Sequence, residues 1–337
     1  MRNGSRVAEP ITTAPLKAEG GDGAMSVAMR LCFIIEEKYR HESMPLAVAD
    51  QLRYWGHDVD LLEPHATVTP LFDLVTQSYD AYVLKTASEG PGLSLLEAAE
   101  AVGIPTINSA RSIRLVRDKA VAIAVARAHG LPIPPTYFVA HPRLLAQIPP
   151  QDYPLIVKPS NGSACRDIYR VNHPADLATL ALADGAHSFL LAQRYVPNTG
   201  FDIKLYVAGT QVYAVRKKSP LHPDVNVTEG LIPITPELRT LALNVGALFG
   251  LDLYGVDVVQ TADGWVGVDI NDFPTFGGVP GVVKLIAEFI LHVARRVRMQ
   301  RSVRIMYTQC RHDSARDGRA RRTDTLDTES VQTKQPS

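Results

Sequence analysis

Three side chains late in the chain are spaced so that they could bind a divalent cation together. Asp269 and Asn271 are two residues apart in an apolar segment, so in a β-strand both point to the same face. Asp257 precedes them across a hairpin signal at residues 262–264, and the hairpin would bring it opposite them. Mg²⁺ prefers such hard oxygen ligands and keeps positions for phosphates. The alternative is a solvent-facing hairpin, but Val, Gly and Ile alternate with these residues where Lys, Thr or Glu would be expected.

Two lysines earlier in the chain could bind an anion. Lys158 lies in the apolar segment LIVKP, where a lysine must either extend to solvent or meet an anion. The small residues from Ser160 to Ala164 would let the backbone approach phosphate oxygens. Lys119 lies at the start of a predicted long helix, where a plain surface charge is the ordinary interpretation. Neither lysine is a specific signal by itself.

A third group of polar residues lies between Lys158 and the hairpin. An apolar strand ends in a short polar segment before Pro197, where free backbone groups could contact an adenine edge. Asp202 and Lys204 share a face of the next strand. Three adjacent cations then end a further strand, and they repel one another unless they are solvated or meet a polyanion. The polar segment is Gln193, Arg194, Tyr195 and Val196, and the cations are Arg216, Lys217 and Lys218.

The segments around these residues predict two kinds of sheet. Strands and helices alternate up to about residue 115, which predicts a small parallel sheet with helices on its faces. After a long helix over 116–129 the strands come as neighbouring pairs, which predicts antiparallel sheet. The alternating part has strands at 29–35, 58–62, 79–85 and 105–108 and helices at 43–54 and 95–102. The predicted pairs are 153–159 with 167–171, 189–196 with 202–209 and 211–218, and 254–260 with 265–271, with helices at 174–183, 236–249 and 279–297.

Composition excludes several classes of protein. The 337 residues are 46% hydrophobic and 21% charged with a formal net charge of zero, so no basic excess indicates nucleic acid. The longest apolar stretches are far shorter than the ~20 residues of a membrane span. Cys32, Cys165 and Cys310 lie far apart, which argues against a disulfide framework and a zinc site. We therefore expect a cytoplasmic protein with no nucleic-acid or membrane partner, and the sequence leaves open whether it forms a homo-oligomer.

Taken together and in order, these motifs resemble the ATP-grasp superfamily over roughly residues 30 to 297. They are RDK in the long helix, the VKP strand, Q-x-[YF]-[VI], D-I-[RK]-x-x-V-x-G, the cationic strand end, and G-V-D followed by D-x-N. The resemblance is closest to the RimK-type carboxylate–amine ligases and to the inositol trisphosphate 5/6-kinases. It implies an α/β N-terminal domain plus an α+β ATP-grasp fold, in which two subdomains clasp ATP.

The resemblance also implies domain boundaries. We expect a disordered leader over 1–28 and a disordered tail over 299–337, because both ends lack apolar periodicity. Between them we expect a pre-ATP-grasp domain over 29–115 and an ATP-grasp domain over 116–298. The latter would comprise a central subdomain over 116–190 and a C-terminal subdomain over 191–298.

By the same resemblance, each group of residues has an expected role. Lys119 and Lys158 would contact the ATP phosphates, and Asp202 would lie near the ribose. Gln193 and the backbone of Arg194, Tyr195 and Val196 would hold adenine. Asp257, Asp269 and Asn271 would bind two Mg²⁺ ions, with Mn²⁺ as an alternative. Lys204, together with Arg216, Lys218 or their neighbour Lys217, would neutralise the transferred phosphoryl group.

Two activities remain open at this point. The prevalence of ligases in the superfamily favours a ligase that activates the carboxylate of a small molecule or peptide and joins it to an amine. RimK-type ligases, however, usually carry Glu where Asp269 stands and Arg where Lys204 stands, and their loop after Lys158 is richer in glycine. The form D-I-N-D-F-P and the cations Lys38, Arg40 and His41 favour instead a kinase of an inositol phosphate or similar polyol. A non-catalytic nucleotide-binding protein is disfavoured by the complete set of metal ligands and lysines.

Overall fold

The computed structural model describes residues 27–298, apart from 75–78, 86–89, 161–167, 180–188 and 297. The predicted tail and nearly all of the predicted leader lie outside the described residues, as do Cys165, Cys310 and most of the loop after Lys158. Among the helices of the described part, none is long and apolar enough to cross a membrane.

The N-terminal part of the chain forms the predicted parallel sheet. Its strands lie in the order β2-β1-β3-β4, and β1 is buried on both faces, as its continuous apolar run predicts. The sheet consists of β1 (Arg30–Ile35), β2 (Asp58–Leu62), β3 (Ala81–Lys85) and β4 (Thr106–Ile107), with helices α1 (Ser43–Tyr54) and α2 (Gly92–Ala101). Its carboxyl ends carry Glu36 and Lys85, both buried.

The predicted long helix over 116–129 is in fact the junction of two helices. Asp118 has an extended backbone and caps the second helix, because its side chain accepts hydrogen bonds from the N–H groups of Ala120 and Val121. The helices are α3 (Ala110–Arg117) and α4 (Lys119–Ala128). The predicted boundary between residues 115 and 116 therefore falls inside α3, and Lys119 is the first residue of α4.

A second, antiparallel sheet has the strand order β5-β8-β6-β7. It consists of β5 (Thr136–Val139), β6 (Leu155–Pro159), β7 (Tyr169–Val171) and β8 (Leu190–Arg194). The predicted pairing of β6 with β7 is confirmed, but the pairing of 189–196 with 202–209 is wrong, since β8 pairs with β5 and β6. Pro197 lacks an N–H group, and Gly200 has φ +83°, so the chain leaves this sheet. It leaves after Arg194, beyond the predicted subdomain boundary between 190 and 191.

The third sheet is antiparallel, with the order β11-β10-β9-β12-β13. One face packs on helix α5 (Pro236–Phe249), and the other packs partly on helix α6 (residues 282–296) and the N-terminal sheet. The strands are β9 (Phe201–Ala208), β10 (Gln211–Lys218), β11 (Gly230–Ile232), β12 (Leu253–Thr261) and β13 (Gly264–Asp272). The predicted pairings β9–β10 and β12–β13 are confirmed.

Helix α5 (Pro236–Phe249) has the predicted bounds, whereas α6 covers residues 282–296 and begins three residues later than predicted. Gly281, with φ +66°, precedes α6 and does not fit a helical backbone. Of the predicted helix 174–183, Pro174–Thr179 forms a 3₁₀-helix and the rest lies outside the described residues. Further 3₁₀-helices are Glu37–Tyr39, Leu71–Asp73, Pro142–Gln147 and Pro150–Asp152.

Candidate active site

A cavity of about 410 Å³ lies where the three sheets meet. The second and third sheets contribute strands β6, β8, β9, β12 and β13, and the N-terminal part contributes residues after β1 and the last residue of β3. The structure thereby brings together most of the predicted site residues, from segments far apart in the chain. Those lining the cavity are Lys119, Lys158, Gln193, Arg194, Tyr195, Val196, Asp202, Lys204, Asp257, Asp269 and Asn271.

A row of charged side chains crosses three strands of the third sheet at this cavity. Lys204 on β9 is the register partner of Asp257 on β12, which is in turn the register partner of Asp269 on β13. Directly opposed residues of antiparallel strands share a face, so all three side chains face the cavity. Asn271, two residues beyond Asp269, donates from Nδ2 to the Oδ2 of Asp269 at 3.1 Å. The hairpin thus places two carboxylates and an amide side by side, as the spacing predicts.

Lysine side chains neutralise both carboxylates. The Nζ of Lys204 lies 2.7 Å from the Oδ2 of Asp257, and the Nζ of Lys119 lies 2.7 Å from the Oδ1 of Asp269. Burial raises the pKa of the Asp257 carboxyl, and the charge of Lys204 opposes this effect. Burial would also raise the pKa of Asp269, but the charges of Lys119 and Lys158 outweigh it and lower this pKa to about 2. Asp269 is therefore ionised across the physiological pH range.

The donors of this row fit a magnesium ion. Asp257, Asp269 and Asn271 offer carboxylate and amide oxygens, the hard ligands that Mg²⁺ takes while it keeps positions for phosphates. Within the described part of the chain, no group of three or more His, Cys, Asp or Glu side chains forms a closed metal cage. The open, two-carboxylate arrangement is the one expected where phosphate oxygens complete the coordination.

The two predicted phosphate-binding lysines also contact the backbone of β13. Lys119 donates to the carbonyl of Ile270 at 2.5 Å, and Lys158 donates to the carbonyl of Val268 at 3.0 Å. Lys119 comes from α4 and Lys158 from β6, so ammonium groups from two other elements converge on β13. Positive charge at this place suits the phosphate groups of a nucleotide.

The predicted adenine segment lies at the end of β8, but its backbone is less free than expected. The N–H of Tyr195 donates to the Pro154 carbonyl at 2.8 Å, and the Val196 carbonyl accepts from Asn198 Nδ2 at 3.0 Å. Gln193 is buried and donates to the hydroxyl of Thr136 at 3.2 Å. Hydrogen bonds to Thr136, Pro154 and Asn198 therefore hold the segment at the cavity wall.

Two predicted catalytic residues are not brought to the cavity. Arg216 and Lys218 are the register partners of Ile203 and Phe201, which lie on the face opposite to Asp202 and Lys204. Arg216 accordingly donates to the Thr228 carbonyl at 3.1 Å, and neither residue lines the cavity.

Lys217, between them, is the register partner of Asp202 and so shares the face of the site. It is not among the residues that line the cavity, and its Nζ lies 3.0 Å from Glu229 Oε2. Burial raises the pKa of the Asp202 carboxyl.

Several cavity residues escaped the sequence prediction. Arg117 and Asp272 form an ion pair of 2.6 Å that ties α3 to the end of β13. Lys85 ends β3. Its apolar segment AYVLK resembles the segment LIVKP around Lys158, and this resemblance is a signal that could have identified Lys85 from the sequence. Of the predicted acceptor cations, Lys38 lines the cavity, whereas Arg40 pairs with Glu63 at 3.3 Å.

Two antiparallel sheets that enclose lysines and two neighbouring carboxylates suited to a divalent cation are the arrangement expected of an ATP-grasp enzyme. The model of the RimK-like ATP-grasp domain matches residues 116–288, just over half of the chain. The chain belongs to the RimK-like ATP-grasp family. The predicted resemblance and fold class are thus confirmed.

Curated relatives and solved structures agree with this assignment. A probable alpha-L-glutamate ligase of Vibrio vulnificus (strain YJ016) is 24% identical over 292 residues, covering 78% of this chain and 95% of that protein. A probable alpha-L-glutamate ligase 1 of Shewanella denitrificans is 25% identical over 303 residues, covering 80% and 100%. With the family match, these relatives confirm the prediction of an ATP-dependent carboxylate–amine ligase.

The fold itself is shared with solved ATP-grasp proteins. A RimK domain protein from Sphaerobacter thermophilus has a TM-score of 0.63 and 19% identity, covering 77% of this chain and 98% of that one. The ATP-grasp ligase PsnB, complexed with a phosphomimetic variant of its minimal precursor, Mg and ADP, has a TM-score of 0.58 and 20% identity, covering 79% and 98%.

Proposed function

We propose that this ligase joins an amino acid, through its amine, to a carboxylate of a small molecule or peptide. The observation that carries the proposal is the row Lys204–Asp257–Asp269, which faces a cavity shared by all three sheets. The relatives named glutamate ligases support this substrate class, as does PsnB, which has also been solved in complex with a precursor peptide. In such a reaction the carboxylate attacks the γ-phosphorus of ATP and ADP leaves, and the amine then displaces phosphate from the acyl phosphate.

The chain's own residues would supply positioning and charge neutralisation. Lys119 and Lys158 would hold the phosphates, and Lys204 would face the transferred phosphoryl group. Of Arg216, Lys217 and Lys218, the three cations that the resemblance offers for this role beside Lys204, we propose Lys217, because it alone shares the face of Asp202. Gln193, Arg194, Tyr195 and Val196 would form the adenine wall, and Asp202 would lie near the ribose.

Asp257, Asp269 and Asn271 would hold magnesium at this site. When bound, Mg²⁺ neutralises negative charge on the β- and γ-phosphates. We propose two ions, with Mn²⁺ as a substitute, because two carboxylates and an amide offer more oxygens than one ion needs beside phosphate ligands. We further propose a cytoplasmic enzyme without nucleic-acid or membrane partners, and a homo-oligomer as its possible assembly.

Phosphorus NMR of the reaction products tests the activity against the kinase alternative. We expect ADP and free phosphate to accumulate only when ATP, Mg²⁺, L-glutamate and a carboxylate substrate from a panel of peptides and small acids are all present. A kinase would instead convert an inositol phosphate or other polyol into a stable phosphoester. A phosphoester signal from a polyol, together with no phosphate release from any carboxylate–amine pair, would overturn the proposed ligation.

The corrected assignment of the cations gives a paired prediction. Lys204→Met removes the ammonium opposite Asp257 and is expected to lower kcat/KM for ATP by on the order of 100-fold. Lys218→Met removes a similar charge from the opposite face of the same sheet and is expected to change kcat/KM by less than about twofold. Initial rates of ADP release measure both. Equal losses in the two variants would refute the face assignment.

A further inference from the structure

The cavity extends beyond the metal ligands to the carboxyl ends of β1 and β3. Lys38 and Tyr39 follow β1, Lys85 ends β3, and all three line the cavity together with Phe273. In open α/β sheets, ligands bind outside the carboxyl ends of the strands. This end of the cavity is built by the N-terminal sheet, whereas the predicted nucleotide contacts come from the other two sheets and α4.

Lys85 is the unusual group at this end. Its residue is only 5% exposed, and its Nζ donates to the Phe273 carbonyl at 2.8 Å. The same Nζ lies 5.0 Å from the ring centre of Tyr39 and 5.5 Å from that of Phe273. The Phe273 carbonyl takes one of the three N–H donors of this ammonium, and both ring centres lie beyond hydrogen-bond distance, so donor capacity remains for a ligand.

Three other cations that line the cavity differ from Lys85 in one respect. Lys119, Lys204 and Arg117 each pair directly with an aspartate. Among the described residues, no carboxylate lies within ion-pair distance of Lys85. Burial lowers the pKa of Lys85 to about 8, and the more distant charges of Asp272 and Glu42 oppose this only in part. A buried ammonium without an anion is costly, so its retention favours a role with a ligand.

Two acidic side chains, Asp272 and Glu42, line the cavity near Lys85. Asp272 pairs with Arg117, so Glu42 is the one that a zwitterion would use. Glu42 lines the cavity and lies close enough to Lys85 to act on its pKa. An amino acid presents an ammonium or amine together with a carboxylate, so a subsite with one group of each sign suits it. A phosphate group would not require the acidic member.

We infer that Lys85 binds a carboxylate of the amino-acid substrate that takes no part in bond formation, and so selects amino acids over simple amines. This inference rests on the proposed function, because it names the amine substrate of the same site. Lys85 would hold that carboxylate while the amine points to the carbon that is activated near Asp269.

Calorimetric binding of L-glutamate, in the presence of Mg²⁺ and a non-hydrolysable ATP analogue, tests the inference without requiring turnover. The variant Lys85→Gln keeps a donor for the Phe273 carbonyl but removes the charge. We expect it to weaken L-glutamate binding by about 10- to 100-fold and to leave the affinity for the analogue within about twofold. Lys284→Gln, which removes an exposed lysine of α6, is the control and should bind as wild type does.

Three amides of glutamate show which of its two carboxylates Lys85 binds. They are L-glutamine, the 1-amide of glutamate and the diamide. One of the two monoamides, and the diamide, should bind equally weakly to wild type and to Lys85→Gln, because each lacks the carboxylate that Lys85 holds. If Lys85→Gln does not fold, Lys85→Met is measured in the same way. The inference is wrong if wild type binds none of L-glutamate, L-aspartate and glycine, or if every ligand loses the same factor in the variant. If wild type shows ligase turnover and L-glutamate binds Lys85→Gln as tightly as it binds wild type, the proposed function holds and only the Lys85 subsite is refuted.

Discussion

Asp269→Asn is expected to lower ATP turnover by on the order of 1,000-fold, the largest effect of any single substitution at this site. Asp269 lies opposite Asp257 and forms an ion pair with Lys119, and its pKa of about 2 keeps it ionised. Asparagine has almost the same shape but no charge, so it removes an anionic metal ligand without opening a cavity. It also leaves the ammonium groups of Lys119 and Lys158 without their carboxylate.

The loss is measured as the initial rate of ADP release over a titration of Mg²⁺. Because the lost charge weakens metal binding, we expect part of the activity to return at high Mg²⁺ concentrations, whereas raising ATP at constant free Mg²⁺ should not restore it. Asp263→Asn changes an aspartate on the exposed turn of the same hairpin and should retain wild-type rates. Turnover unchanged in a folded Asp269→Asn protein would show that the metal site lies elsewhere.

The hairpin that carries the candidate metal ligands could be predicted from the sequence because its information is local. The period-two spacing of Asp269 and Asn271 sets their common face, and the turn at Asp263 and Gly264 sets the register that brings Asp257 opposite. Lys158 was recognisable for the same reason, as one charge in an apolar strand. Local patterns of this kind do not depend on how distant parts of the chain pack.

Predictions failed where the answer depended on a distant partner. Arg216 and Lys218 are indistinguishable from Lys217 until the pairing of β10 with β9 fixes which of them faces the site. Strand β8 looked like a neighbour of β9 because the two are close in sequence, yet its partners are β5 and β6. Neither a pattern nor a propensity in one segment carries that information.

The cavity end at β3 illustrates the same limit for function. Lys85 is 188 residues from the Phe273 carbonyl that it contacts, and Arg117 is far in sequence from Asp272. Each residue alone has an ordinary interpretation as a surface or strand-end charge. Only the fold shows that these cations contact Asp272 and Phe273, which follow the candidate metal ligands. The sequence therefore left the acceptor side of the reaction open.

Arg117→Met is expected to destabilise the protein by about 3–5 kcal/mol, because it leaves the carboxylate of Asp272 buried without its partner. The side chain of Asp272 is only 2% exposed, and that of Arg117 is 19% exposed. Methionine retains most of the length and apolar volume of arginine, so the loss reports the charge. The pair also joins α3 to the residue after Asn271, so we expect metal binding to weaken together with stability.

The comparison with Arg114→Met makes this prediction decisive. Arg114 lies one turn earlier on α3 and pairs with Glu97 at the surface, where both side chains are about half exposed, at 51% and 52%. An exposed pair contributes at most about 1 kcal/mol, so the two variants should differ by several-fold in the loss of unfolding free energy measured by urea denaturation. Adding Asp272→Leu to Arg117→Met removes the stranded charge and should recover at least half of the lost stability. If the double variant is no more stable than Arg117→Met, the arginine acts through packing, and the buried charge of Asp272 is not what it compensates.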